Sequence, residues 1–222
     1  MKYKLGEKHP ELKLYRVVAL KDFGAVKKGD VGGWIEGEHN LSQENNAWVF
    51  DDAQVSNKAR IFGTAQVFGT AQVFADAWVS GDAKISGNAI VSGDAWVSNN
   101  AIVSGDAQIS DNARVSDNAR VFGNARVFGN VKISNNANVF GNAVISGDAW
   151  VSGINRSDGY AFCYVPDKDG NMKVIAGCRY FTMDKARDHW TKTRGGTALG
   201  DETMVILDCL EKLSKVKPQG CV

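Results

Sequence analysis

The chain has 222 residues with 26 basic and 25 acidic side chains, three His and four Cys. A balance this even excludes a binder of long polyanions, which needs a basic stripe, and no apolar run is long enough to span a bilayer. Residues 1–28 are strongly charged, unlike a secretory signal. The expected setting is the cytoplasm, with Cys163, Cys178, Cys209 and Cys221 as reduced thiols, since none has CxxC spacing.

Residues 1–46 contain a short apolar strand around Leu14 to Leu20, followed by KKGDVGGWIEGEHNLSQENNAW. Ile35 and Leu41 continue, in steps of six, the phase of the Ala residues that come next. The segment therefore reads as a degenerate coil closing one end of a repeat array, whose terminal unit must hide its open edge.

Between residues 47 and 154 one six-residue phrase runs without insertion. Ala recurs from Ala47 to Ala149 with only Val131 breaking the series, and a Val or Ile follows two residues after each, from Val49 to Val151. Positions two apart share one side of an extended strand, so each phrase makes an apolar face. Ser or Phe comes next, then Gly-Asp, Gly-Asn or Asn-Asn, residues that tolerate positive φ and bend the chain after about four residues. Coiling turns every Ala and Val inward and stacks the strands in parallel.

The V-x-x-x-A-x hexads resemble the hexapeptide-repeat superfamily. That resemblance implies an all-β solenoid, a left-handed parallel β-helix of about six 18-residue coils, roughly 29 Å tall at parallel strand spacing. GDVGGWIE followed by NLSQ, within Lys28 to Ala53, resembles more narrowly the YdcK-like uncharacterised bacterial and phage hexapeptide proteins, often described as acyltransferases.

Residues 155–222 lose the period. YAFCYV and KVIAGCRYF predict a hairpin across PDKDGN. Thr182 predicts the cap of a helix running to about Lys192, stopped by Gly195-Gly196. A second helix from about Asp201 places Met204, Leu207, Leu210 and Leu213 on one side. The expected module is a small α+β (ββαα) unit capping the last coil. Its phrases AGCRYFT, ARDHW and TRGGTALGDET resemble a tail of phage and prophage proteins, which points to a phage-derived chain.

Acyltransferases of the superfamily use a His on a coil or inserted loop as general base, and its carbonic-anhydrase relatives hold zinc with three imidazoles. Here the hexads contain no His and no inserted loop; His9, His39 and His189 all lie outside them. No catalytic residue, metal site or cofactor is therefore assigned, with His189 as the fallback base. Cys163 and Cys178 on the preceding hairpin offer it a conceivable nucleophile, although a solvated helix face beside buried thiols reads better. TRGGTALGDET suits either an anion-binding nest or a turn between helices.

Sorted by 18 residues, the outward positions form columns. One reads Arg60, Trp78, Trp96, Arg114, Lys132, Trp150; another carries Phe50, Phe68, Phe122 and Phe140. Exposed aromatic rows usually mark contacts. Three readings stay open: the seam of a homotrimer, cover by an end module, or a site for a small anionic, aromatic ligand. Arg179, His189 and Arg194 are the corresponding candidates in the C-terminal module. The expectation is a non-enzymatic binding or scaffolding trimer whose partner is a host protein or small anion, with no nucleic acid and no membrane. The alternative is an acyltransferase using an acyl-coenzyme A donor.

Overall fold

The computed structural model describes residues 1–167, 169, 171–177 and 179–215. Cys178 and Cys221 lie outside the described residues. The elements run β1 (Tyr3–Lys8), β2 (Tyr15–Ala19), β3 (Val31–Ile35), then eighteen short strands from β4 (Trp48–Val49) to β21 (Trp150–Ser152). They are followed by β22 (Ile154–Asn155), β23 (Ala161–Pro166), β24 (Met172–Ala176), β25 (Arg179–Phe181), α1 (Met183–Arg194) and α2 (Ala198–Lys215).

Each hexad supplies one strand, and hexads three apart pair in parallel to form three sheets. Gln54, Gln72, Ile90, Gln108, Arg126 and Val144 stand in register in the first. Trp48, Gln66, Lys84, Ile102, Arg120 and Asn138 stand in the second. The Arg60 to Trp150 column forms the third. A parallel β-solenoid is thus the fold. Its strands are two or three residues long, shorter than expected, because the turn begins immediately after the Ser or Phe. The next residue is already left-handed, as at Gly63 (φ 68°) and Asn99 (φ 57°). Amide side chains climb the corners, Asn112 donating to Asn130 (3.0 Å) and Asn130 to Asp148 (2.7 Å). Every inward Val and Ile from Val49 to Val151 is buried.

The entry to the solenoid differs from the sequence reading. Ile35 pairs with Val55 and Leu41 with Ile61, so both stand at the Val position, twenty residues below their partners, and not in the Ala phase. The corner between Leu41 and Val49 is two residues longer than the others, which shifts the register and completes a partial seventh turn. Gly33 then occupies the Ala position, where a Cβ would overlap the carbonyls of Ala53 and Phe50. Buried Asn40 substitutes for strand backbone: its Nδ2 donates to the Asn57 and Ala59 carbonyls, both at 2.9 Å.

β1, absent from the sequence reading, pairs antiparallel with β2, and β2 with β3, so a meander extends the first sheet and closes that end. Tyr3 and Phe23 pack edge-on against Trp48, with centroids 6.1 and 5.2 Å away. Lys2 Nζ donates to the Ala47 carbonyl (2.8 Å) and Tyr3 Oη to that of Leu41 (2.7 Å). Burial, then the charge of Lys21, lowers the Lys2 ammonium from 10.5 to about 8, while burial and Glu38 raise the Tyr3 phenol from its usual 10. Between pH 8 and 10.5 the unfolded chain holds the Lys2 proton more tightly than the folded one, so stability rises with pH there. Tyr3 acts oppositely: its contribution is full below pH 10 and is lost above it. Burial raises the Cys163 thiol from 9 to about 11 and likewise removes stability above pH 9. Thermal melts should therefore show a midpoint that climbs from pH 8 to 9, levels off, and falls above 10, and Lys2→Met should remove the climb. A climb unchanged by that substitution would show that Lys2 is not its source.

At the other end, β22 to β25 form one antiparallel sheet of four strands where two were expected. KVIAGCRYF is divided between β24 and β25 by a turn in which Gly177 adopts φ 56°. The β23–β24 hairpin has two apolar faces. Cys163, Val165 and Ile175 join the solenoid core, whereas Phe162, Val174 and Ala176 pack with Ala186 and Trp190 of α1 and Leu207 and Leu210 of α2. The Asn138 amide, left open at the end of its sheet, donates to Cys163 Sγ (3.3 Å), and burial pushes that thiol up to about 11. Thr182 caps α1 as expected, its hydroxyl accepting from the Lys185 amide. On α2, Leu213 is exposed; Thr203 and Ile206 complete the buried face instead. Among the described residues no helix is long and apolar enough to cross a membrane.

Candidate binding surfaces

The third sheet carries a closed stack. Trp78 and Trp96 lie face to face with centroids 5.1 Å apart and planes 1° from parallel. Arg60 covers the outer face of Trp78 at 5.5 Å, and Arg114 that of Trp96 at 5.3 Å. All four residues come from the same hexad position in successive coils, so the rung spacing itself sets ring stacking and cation–π distance. A planar ligand has no free ring face here unless it displaces an arginine. Beyond the stack, Lys132 is exposed and Trp150 is 59% exposed, its Nε1 donating to Ser134 Oγ (3.1 Å).

Phe50, Phe68, Phe122 and Phe140 follow the strands of the second sheet, at the corner where the chain turns into the first. Phe50 meets Phe68 at 5.7 Å, and Phe122 stacks on Phe140 at 5.0 Å. Between these pairs the corner carries Ser86 and Ser104. There the flanking sheets supply outward aliphatic residues that sequence reasoning passed over, half-buried Ile90 on the first and Ile102 on the second. An apolar band therefore runs the length of the corner. The order of sheets around each coil places it opposite the Trp column, so the two aromatic columns face away from each other.

The candidates of the C-terminal module do converge. Arg179 from β25 and His189 and Arg194 from α1 line a cavity of about 310 Å³, with Arg156, Tyr160, Trp190 and Thr193. Arg156 and Tyr160 were not foreseen, because they lie in the irregular stretch after the last hexad. The Arg156 guanidinium is buried and held by Asp158 (3.0 and 2.7 Å) and by Thr203 Oγ1 (2.9 Å). That pairing pulls the Asp158 carboxyl down to about 2. Burial, then the charge of Arg179, lowers the pKa of His189, whose ring packs against Phe181 (5.2 Å) and Trp190 (5.1 Å). Cys163 faces the solenoid core on the other side of the hairpin, so the two do not form a nucleophile and base pair. Gly195 and Gly196 of TRGGTALGDET make the turn between helices, and Gly200 lies in the first turn of α2. The Thr197 hydroxyl already accepts from the Gly200 amide at the start of α2 (3.1 Å), which argues for the turn over the nest.

A fourth surface was not anticipated. The enlarged first corner forms a groove of about 400 Å³ lined by His39, Gln43, Arg60, Phe62 and Trp78 among others. His39 Nε2 donates to the Asn57 carbonyl at its rim (2.7 Å).

The family model described as YdcK β-solenoid repeat matches residues 83–99, 107–121 and 119–135. The coils within residues 83–135 match YdcK-type β-solenoid repeats. A curated relative, the Escherichia coli (strain K12) "Uncharacterized acetyltransferase YdcK", is 45% identical over 38 residues, covering 17% of this chain and 12% of the relative. The chain thus matches only a small part of that protein's length. The matched segments form the middle of the rod, and the C-terminal cavity lies beyond all three.

Proposed function

We propose that this chain is a non-enzymatic binding scaffold of phage or prophage type that works as a homotrimer and engages a host protein or a small anionic ligand. The apolar corner band is the observation that carries this reading. In a ring of three parallel prisms each protomer meets its neighbours in directions about 60° apart, so patches on opposite sides cannot share one seam. The Phe corner suits the three-fold axis better than the Trp face, where the Trp78 and Trp96 rings are already covered by Arg60 and Arg114. With that corner on the axis, the first sheet of one protomer faces the second sheet of the next, with Ile90 and Ile102 beside the contact. The adjoining positions Gln54, Gln72 and Gln108 carry no charge, whereas Lys84, Arg120 and Arg126 place cations on the same two sheets.

Sedimentation should give about three times the 24.0 kDa chain mass. Ile102→Lys combined with Phe122→Asp should release monomers with unchanged circular dichroism, and Trp96→Ala should leave the trimer intact. A wild-type monomer at micromolar concentration, or a trimer lost on Trp96→Ala, defeats the assignment. The match to an acetyltransferase favours acyl transfer as the second reading. Release of free thiol from acetyl-coenzyme A in the presence of amines or sugars, abolished by His189→Ala or by His39→Ala, would put it first.

A further inference from the structure

We infer that the cavity between β25 and α1 binds a small phosphomonoester of sugar-phosphate size, with Arg179 and Arg194 gripping the phosphoryl group over a floor of Tyr160 and Trp190. This rests on the reading of the chain as a binder, but not on trimerisation.

Several observations lead to it. Arg179 and Arg194 line one cavity from different elements, and neither makes a salt bridge or side-chain hydrogen bond to a described residue, although Arg194 lies near enough to Asp158 to stabilise its carboxylate through space. The nearest carboxylate is already committed: both oxygens of Asp158 accept from Arg156, and one also accepts from the Tyr160 amide (3.2 Å). Glu202, which also acts on Arg156, is held by the Ser157 amide and hydroxyl (2.7 and 2.6 Å). Two guanidiniums lining one small cavity repel each other, Asp158 offsets only part of that charge from its place on Arg156, and an anion between them reverses the sign of the interaction. Guanidinium forks match phosphate oxygens in pairs, and two forks suit a dianion with three terminal oxygens better than a carboxylate with two.

The volume limits the rest of the molecule. At about 310 Å³ the cavity lies at the lower end of small-molecule sites, enough for a phosphoryl group and a body the size of a pentose. Trp190 is already packed against Phe162, Phe181 and His189, so it offers the body a wall and not an open stacking face. Its emission nevertheless reports on occupancy. A dianion placed here would also oppose the influence of Arg179 on His189 and raise the imidazole's pKa.

The test is a titration of the full chain with ribose 5-phosphate, ribose and inorganic phosphate, followed by calorimetry and by the His189 Cε1 resonance across pH. Ribose 5-phosphate should bind with a Kd below about 1 mM, ribose not at all, and inorganic phosphate at least about tenfold more weakly than the sugar phosphate. Arg179→Gln and Arg194→Gln should each weaken binding about tenfold or more with unchanged circular dichroism, and Arg60→Gln should have no effect. The His189 pKa should rise on saturation in the wild-type chain, a readout that does not depend on any variant folding. Absence of saturable binding at about 10 mM, affinity retained in both variants, inorganic phosphate binding as tightly as the sugar phosphate, or a His189 pKa that stays put would each overturn the proposal. Sedimentation of the same samples reports separately on the trimer.

Discussion

Val97→Asp should unfold the solenoid or divide it into two poorly joined halves. Val97 is fully buried and stands in register between Val79 and Val115. A carboxylate there meets only inward Ala, Val and Ile side chains, and a buried charge without a partner is among the few single changes that cost about 4 kcal/mol or more. In a solenoid each coil is held by its two neighbours, so a defect in a central coil weakens both interfaces at once. Circular dichroism should show a strongly lowered or absent melting transition, and limited proteolysis should cut near the substituted coil. Wild-type thermal stability would mean that the inward and outward positions are assigned the wrong way round.

Trp48→Ala should have a large effect of a different kind. Trp48 occupies the same hexad position as Trp78, Trp96 and Trp150, yet it is buried, because the meander folds over it and brings Tyr3 and Phe23 against its ring. Removing so large a buried side chain costs about 3–5 kcal/mol, and here the loss falls on the contact between the meander and the first coils. Amide exchange should accelerate across Tyr3–Lys8 and Tyr15–Ala19 while coils beyond Val91 keep their protection. The uncovered sheet end should also promote association through its open edge. Uniformly faster exchange over the whole chain would show that the end does not open independently.

These two sites mark how far the sequence could be read. The coils were legible because two-residue alternation and a six-residue period constrain each position twice, and the pairing of Arg60 with Trp78 and of Trp78 with Trp96 follows from counting eighteen. Trp48 was not legible as buried, since nothing in its own hexad separates it from the exposed tryptophans; the difference lies in residues more than twenty positions away. The phase of Ile35 and Leu41 was misjudged because steps of six fit the Ala series equally well, and the two additional residues of the corner before Val49 carry no signature of their own. The apolar corner was only half visible: the Phe residues were evident, but Ile90 and Ile102 complete the band from neighbouring sheets, a relation that appears only once the coil has three sides. In the C-terminal module, Arg179, His189 and Arg194 were singled out, whereas Arg156 and Asp158 gain their meaning from Thr203, more than forty residues later.

Both ends of the rod are stoppered by pieces that fit a particular edge: Tyr3 and Lys2 the Leu41 and Ala47 carbonyls, Cys163 the Asn138 amide. Between the stoppers, one triplet of hexads is interchangeable with the next. Gene duplication or loss of eighteen residues would therefore lengthen or shorten the chain by one rung, about 4.8 Å, and leave both stoppers seated on the edges they already match. A slip of six would turn the C-terminal module by a third of a revolution and offer Cys163 a different sheet. Evolution of reach is thus inexpensive in this architecture only in whole turns, and the bearing of the arginine cavity relative to the Phe corner is inherited unchanged through each such step.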